Sequence, residues 1–176
     1  MADGRAWRRI VAAISRRRVT AGFLIGVLAV WLADPSRGSL TLGAGVATAG
    51  EMLRVWAAGH LEKGREITAS GPYAITRHPL YLGSAFIAAG MAIASNRLLV
   101  VLIIAAYLTI TIGAAIWTEE AHLTEKFGHQ YPAYREGDLP RVARRFSLTR
   151  VIRNREYRAI GGLALVLAVL AWKAAH

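Results

Sequence analysis

Two short stretches of this 176-residue chain bring together residue types able to do chemistry. The first is Gly71-Pro72-Tyr73-Ala74-Ile75-Thr76-Arg77-His78-Pro79-Leu80-Tyr81-Leu82-Gly83. Gly71-Pro72 is a turn signal, and Pro79 suits the first turn of a helix, where its missing N–H costs nothing. His78 therefore falls at a helix N-terminus, where unbonded N–H groups and the helix dipole favour an anionic group. Arg77 adds a permanent positive charge. Tyr81 offers a ring to stack on, and Gly83 permits close approach. Together they read as a site for a ligand with a carboxylate or phosphate and a flat ring.

The second stretch runs from Thr118 to Arg135 and holds Glu119-Glu120, His122, Phe127-Gly128, Tyr131 and Tyr134. Adjacent helical residues point about 100° apart, so one carboxylate faces a site while the other faces a basic neighbour. A carboxylate here is suited to an ammonium or to hydroxyl groups. Glu119 and His122 also form Glu-x-x-His, the spacing of di-iron bundles. A second such motif and further carboxylates are missing, so no metal is expected. Glu51 and Arg54, three apart inside an apolar run, read as an ion pair on one helix face that fixes packing, the alternative being a direct role at a site.

The elements that must position these residues are apolar runs. More than half of the chain is hydrophobic, which a soluble domain of this size has trouble burying. Runs lie at 19–33, 40–59, 80–95, 98–117 and 160–172. Crossing a bilayer takes roughly 20 apolar residues, about 17 at least, so only the fourth run qualifies comfortably. The first and third borrow flanking residues, and the fifth is short enough to pack at an angle. The first follows Arg16-Arg17-Arg18 but lacks a small-x-small cleavage site, so it is expected to be a retained signal anchor. Tight turns at Asp34-Pro35-Ser36-Arg37-Gly38 and Ser95-Asn96-Arg97 leave little outside. The net charge of +11 sits beside apolar runs, which fits anionic lipid headgroups better than nucleic acid. Arginine and lysine concentrate in the N-terminal tail, in 60–78 and in 118–158, which places those segments in the cytoplasm. The absence of cysteine excludes disulfides and thiol chemistry. Gly43-Ala44-Gly45 is not a dinucleotide loop, because Thr48 stands at the third glycine position and no strand precedes it. Gly22 and Gly26, Gly43 and Ala47, and Gly90 and Ala94 have the spacing of close helix packing and would permit a homodimer. The expected architecture is all-α, one domain over 1–176, a polytopic membrane bundle of about five helices. Within it lie a core motif region at 50–141, a basic interfacial segment at 139–158 and a short last helix at 160–172.

In order and spacing these motifs resemble the isoprenylcysteine carboxyl methyltransferase family and the related phospholipid methyltransferases. The resemblance covers about Gly50 to Arg141 and includes Leu53-Arg54-x-Trp56-Ala57, which is similar to a segment of bacterial members. It implies an S-adenosylmethionine-dependent methyltransferase built from membrane helices. Tyr73, His78, Pro79, Tyr81 and Gly83 would line the cofactor pocket with Arg77 nearby, and Glu119 or Glu120 would hold the cofactor's amino group or ribose. The acceptor stays open among a carboxylate, an amine and a thiol. For a carboxylate, Arg135 and Arg141 are the candidate anion holders and Tyr134 an orienting donor. A lipophilic or lipidated substrate entering from the bilayer suits a site at the cytoplasmic leaflet of a plasma membrane, the inner membrane if the source is bacterial. Two alternatives are a nicotinamide-dependent sterol-type reductase, whose relatives are usually much longer, and a non-catalytic lipid-binding membrane protein.

Overall fold

A computed structural model describes residues 20–63, 65–136 and 144–176. Its described residues form helices with no strand. They are α1 (Thr20–Leu32), α2 (Arg37–His60), a 3-10 turn (Gly71–Ala74), α3 (Pro79–Ser95), α4 (Leu98–Phe127), α5 (Gln130–Glu136), α6 (Leu148–Arg153) and α7 (Tyr157–Ala175). The two expected turns are both made. Ser36 and Ser39 close a reciprocal capping box at the start of α2. Asn96, at φ 53°, ends α3 in the left-handed conformation that asparagine tolerates.

α2 and α3 form the tightest pair, and small residues make that possible. A Cβ on Gly50 would stand 2.7 Å from the Gly83 carbonyl oxygen, and one on Gly83 would stand 2.6 Å from Arg54 Cγ. Gly43 and Ala47 mesh with Gly90 and Ala94 in the same seam. Gly26, by contrast, has no neighbour within 4 Å of an added Cβ, so its spacing to Gly22 is not a packing motif.

Among the described residues two helices, α4 and α7, are long and apolar enough to cross a membrane. The last run does not stop at 160–172. α7 has 19 residues, about 28 Å at 1.5 Å per residue, which covers the hydrocarbon layer. α4 continues ten residues past Trp117, and this extension carries Glu119, Glu120 and His122 beyond its apolar part. Phe23, Trp31, Leu98, Leu102, Leu165 and Trp172 are exposed. Large apolar side chains facing outward along such helices fit a lipid solvent. Lys173 donates to the carbonyls of Val30, Trp31 and Ala33, closing the C-terminal end of α1.

The expected interfacial segment has a second role. Four carbonyls at the end of α2 lack helical partners, as at any helix C-terminus. Asn154 donates to Ala58 and Leu61 at 2.9 and 3.1 Å, and Arg150 donates to Gly59 at 2.7 Å. The Ser147 N–H adds a bond to Gly59. Arg144 and Arg153 pair with Glu66 and Glu62 of the α2–α3 loop, and the Arg153 hydrogen bond holds the half-buried Glu62 carboxyl below its usual range. Leu148 and Ile152 remain exposed while Val151 is buried, so α6 keeps an outward apolar edge.

Candidate active site

At this end of the bundle lies a cavity of about 620 Å³. Its walls come from the 61–68 loop, the 3-10 turn, the start of α3, the α4 extension and α5, closed by Asn154 and Glu156. Pro79 occupies the first position of α3 with His78 as its N-cap. The two adjacent glutamates divide their directions. Glu119 lines the cavity, whereas Glu120 accepts from His78 Nε2 at 3.1 Å and pairs with Arg77 at 3.5 Å. With Nε2 carrying that proton, the neutral His78 ring keeps Nδ1 as an acceptor. Three phenols close the site. Burial pushes the Tyr73 and Tyr134 hydroxyls upward, and burial together with the nearby Glu120 carboxylate pushes Tyr131 up to about 12. All three therefore stay neutral at physiological pH. Tyr134 donates to the Tyr73 carbonyl at 2.8 Å, which ties α5 to the 3-10 turn.

The back wall of the cavity is a buried charge cluster. Arg54 Nη2 donates to both carboxylate oxygens of Glu156 at 2.9 Å, and Nη1 donates to Ser84 Oγ at 2.6 Å. Glu51, expected as the partner of Arg54, stands farther off at 3.7 Å, and neither of its oxygens accepts a hydrogen bond from the described residues. The expected pair is thus the weaker of two. Glu156 is the carboxylate of this wall, and Glu51 stands behind the same guanidinium without lining the cavity.

The family-model comparison matches residues 18–130 to the phospholipid methyltransferases. The chain belongs to that family. No curated protein and no solved structure matches it at a significant level. The match runs from α1 through the α4 extension and stops at the first residue of α5, so it includes Arg54, Ser84, His78 and both glutamates but not Tyr131, Tyr134 or Glu156.

In this membrane methyltransferase Tyr73, Arg77, His78, Pro79, Tyr81, Glu119 and Tyr134 all line one cavity. Gly83 does not. It faces α2 and lets Arg54 pass, for the reason given by its Cβ contacts. Glu120 stands behind His78 and Arg77. Arg135 is exposed and off the cavity wall, because the residue after Tyr134 points about 100° away from it. Arg141 lies outside the described residues. Sequence reasoning missed Glu156, Asn154, Glu62 and Glu66. The available signal was that Glu156 is the one carboxylate between Arg141 and Arg158 in a strongly basic segment.

Proposed function

We propose that this methyltransferase uses S-adenosylmethionine to methylate the headgroup amine of a membrane lipid at the cytoplasmic leaflet. The observation that carries the reading is the residue set of the polar cavity. Its volume falls within the range of about 300–1,000 Å³ usual for small-ligand sites. Glu119 suits an ammonium or ribose hydroxyls, Arg77 suits a carboxylate, and Tyr81 and Phe127 offer rings beside an adenine. The residues fit the cofactor's mixed charge and flat base. Bound there, S-adenosylmethionine supplies a methyl group on a sulfonium, ready for direct displacement.

What the chain itself must do is orient, desolvate and manage a proton. Glu120 fixes the His78 ring and the Arg77 guanidinium so that their other edges are presented in one geometry. The neutral phenols are potential hydrogen-bond donors that add no charge. An amine acceptor reacts only when deprotonated, and His78 Nδ1 is an acceptor of suitable type for that proton.

The amine reading draws on electrostatics. Arg54 and Arg77 on the cavity wall are both engaged by glutamates, and Lys63 and Lys126 line the cavity as well. An ammonium meets the Glu119 and Glu156 carboxylates that line the same cavity. Five crossings with the N-terminus in the cytoplasm account for the layout. They bring the 61–68 loop, the α4 extension, α5 and α6 to one end, together with most of the arginine and lysine. A plasma membrane, the inner membrane of a bacterium, is the corresponding location.

The test is methyl transfer from labelled S-adenosylmethionine by protein in nanodiscs of ethanolamine phospholipid, against nanodiscs of glycerol phospholipid. Label is expected in base-stable N-methyl lipid in the first case alone. Base-labile methyl ester as the product would move the acceptor to a carboxylate. No labelled lipid in either would remove the lipid acceptor.

A further inference from the structure

A second cavity, of about 470 Å³, lies between α1, α3, α4 and α7. α4 packs on α3 and α7 packs on α2, and the space between them is lined almost wholly by apolar residues such as Ala29, Ala88, Met91, Ile104 and Leu163. One end is polar. Arg54 and Ser84 line this cavity and the cofactor-type cavity alike, so the two meet at the buried charge cluster. At the other end Leu170, only 1% exposed, packs with Ala33 and Ala94 and closes the space.

The length of the cleft follows from the helices that wall it. It runs from Ser84 to Ser95 on α3 and from Ala159 to Leu170 on α7. Eleven residues on either helix span about 16 Å at 1.5 Å per residue. An extended hydrocarbon chain advances about 1.25 Å per carbon, given a C–C bond of about 1.5 Å. The cleft is therefore as long as about 13 carbons of an acyl chain.

We propose that this cleft holds one hydrocarbon tail of the acceptor lipid and that its closed end at Leu170 sets the longest tail accepted. The proposal rests on the lipid-acceptor reading above and adds the tail site and its length limit. The occupant is the acceptor's own tail because the cleft joins the polar cavity at its Arg54 end. A tail seated with its tip at Leu170 delivers its headgroup to the wall where methyl transfer is placed. A bystander lipid would gain nothing from that junction.

Two glycines make a clean test. A Cβ added at Gly26 or at Gly162, both lining the cleft, meets nothing within 4 Å, so a larger side chain enters open space without a clash. Gly161 also has nothing within 4 Å but is not on the cleft wall, and serves as the control on the same helix. Methyl transfer would be measured in mixed micelles offering ethanolamine phospholipids with four-carbon and with twelve-carbon tails in competition, the longer within the cleft's reach and the shorter ending near Gly162. Gly162→Leu and Gly26→Leu are expected to lower the long-to-short product ratio on the order of tenfold, since a single misfitting methylene is worth about that much or more in a fitted apolar site. Gly161→Leu should leave the ratio unchanged. An unchanged ratio in both cleft variants, with transfer to the short-tailed lipid retained, overturns the proposal.

If wild-type protein methylates neither lipid, the acceptor reading fails separately, and the tail site is decided by labelling. An ethanolamine phospholipid with a diazirine at its tail tip should mark Leu170 and Val166 in wild type and lose those marks in Gly162→Leu. Marks confined to the exposed faces of α4 and α7 would overturn the tail site as well.

Discussion

The buried pair of Arg54 and Glu156 sets up the most discriminating stability experiment. Glu156 is 5% exposed, and its two oxygens take both of their bonds from one guanidinium nitrogen. Removing one member of a buried pair costs about 3–5 kcal/mol, because the other is left charged without a partner. The two removals are not equivalent here. Glu156→Leu leaves Arg54 with Glu51, whose carboxylate lies 3.7 Å away with both oxygens open. A small shift of the guanidinium closes that pair, so the loss should sit at the low end, about 3 kcal/mol. Arg54→Met strands two carboxylates and should reach the upper end, about 5 kcal/mol. The double variant Arg54→Met/Glu156→Leu replaces the pair by apolar volume and strands only Glu51, which can neutralise by taking a proton. It should be no more destabilised than Arg54→Met alone, with a coupling of about 3 kcal/mol. The assay is equilibrium unfolding of detergent-solubilised protein followed by circular dichroism, with all three variants in parallel. A double variant destabilised by the full total of the two single losses would refute the reasoning, since the pair would then act as two independent residues.

Three other outcomes follow from single contacts. Glu119→Ala should weaken S-adenosylmethionine binding in calorimetry by about ten- to a hundredfold, the worth of about 1.5–3 kcal/mol for a hydrogen bond to a charged group. Glu120→Gln should weaken it less, because the amide still accepts from His78; equal losses in the two variants would contradict the divided directions of these carboxylates. Gly83→Ala forces a Cβ to within 2.6 Å of Arg54 Cγ and should lower stability by about 1–3 kcal/mol as α2 and α3 move apart, measured by the same unfolding titration. The Tyr131 phenol, at about 12 in the fold, lies above the unfolded value of about 10. Its contribution to stability is complete below pH 10 and disappears as pH rises through 12. Alkaline unfolding should therefore begin later in Tyr131→Phe, whose ring cannot ionise.

How much of this was legible in the sequence depends on whether the cause was local. The helices and their turns were legible because each apolar run is bounded by its own punctuation, such as Asp34-Pro35 or Asn96-Arg97. The length of α7 was not, because Arg158 and Lys173 read as the ends of an apolar stretch. Both continue the helix, and Lys173 bonds to the carbonyls at the end of α1. The gathering of Tyr73, Arg77, His78, Tyr81 and Glu119 was legible, since a turn, a proline-started helix and a long helix extension put them at one end. Arg135 was misplaced because nearness to Tyr134 in sequence is not nearness in direction. Glu156 was invisible for a different reason. Its partner is 102 residues away, and nothing local distinguishes it from a surface carboxylate among arginines.

That long-range contact changes how the basic segment is understood. A run of arginines beside a membrane needs no explanation beyond lipid headgroups. Here several of those arginines are spent inward, on the end of α2 and on Glu62 and Glu66, both of which line the polar cavity. Arg155 then takes φ 61°, a left-handed conformation that arginine seldom adopts, at the turn between α6 and α7. The turn brings the chain round so that Glu156 enters the bundle and meets Arg54. Strain of this kind persists only where the surroundings hold it, and the ion pair, the Asn154 caps and the start of α7 all do so. The family match ends at residue 130, so the wall joining the two cavities is built half inside the matched stretch, from Arg54 and Ser84, and half outside it, from Glu156. The start of α3 and the α4 extension lie inside the matched stretch, while the side of the cavity nearest the apolar cleft depends on a segment beyond it. Selectivity for the acceptor is then expected to vary with residues 144–176, and the chemistry of transfer with residues 71–131.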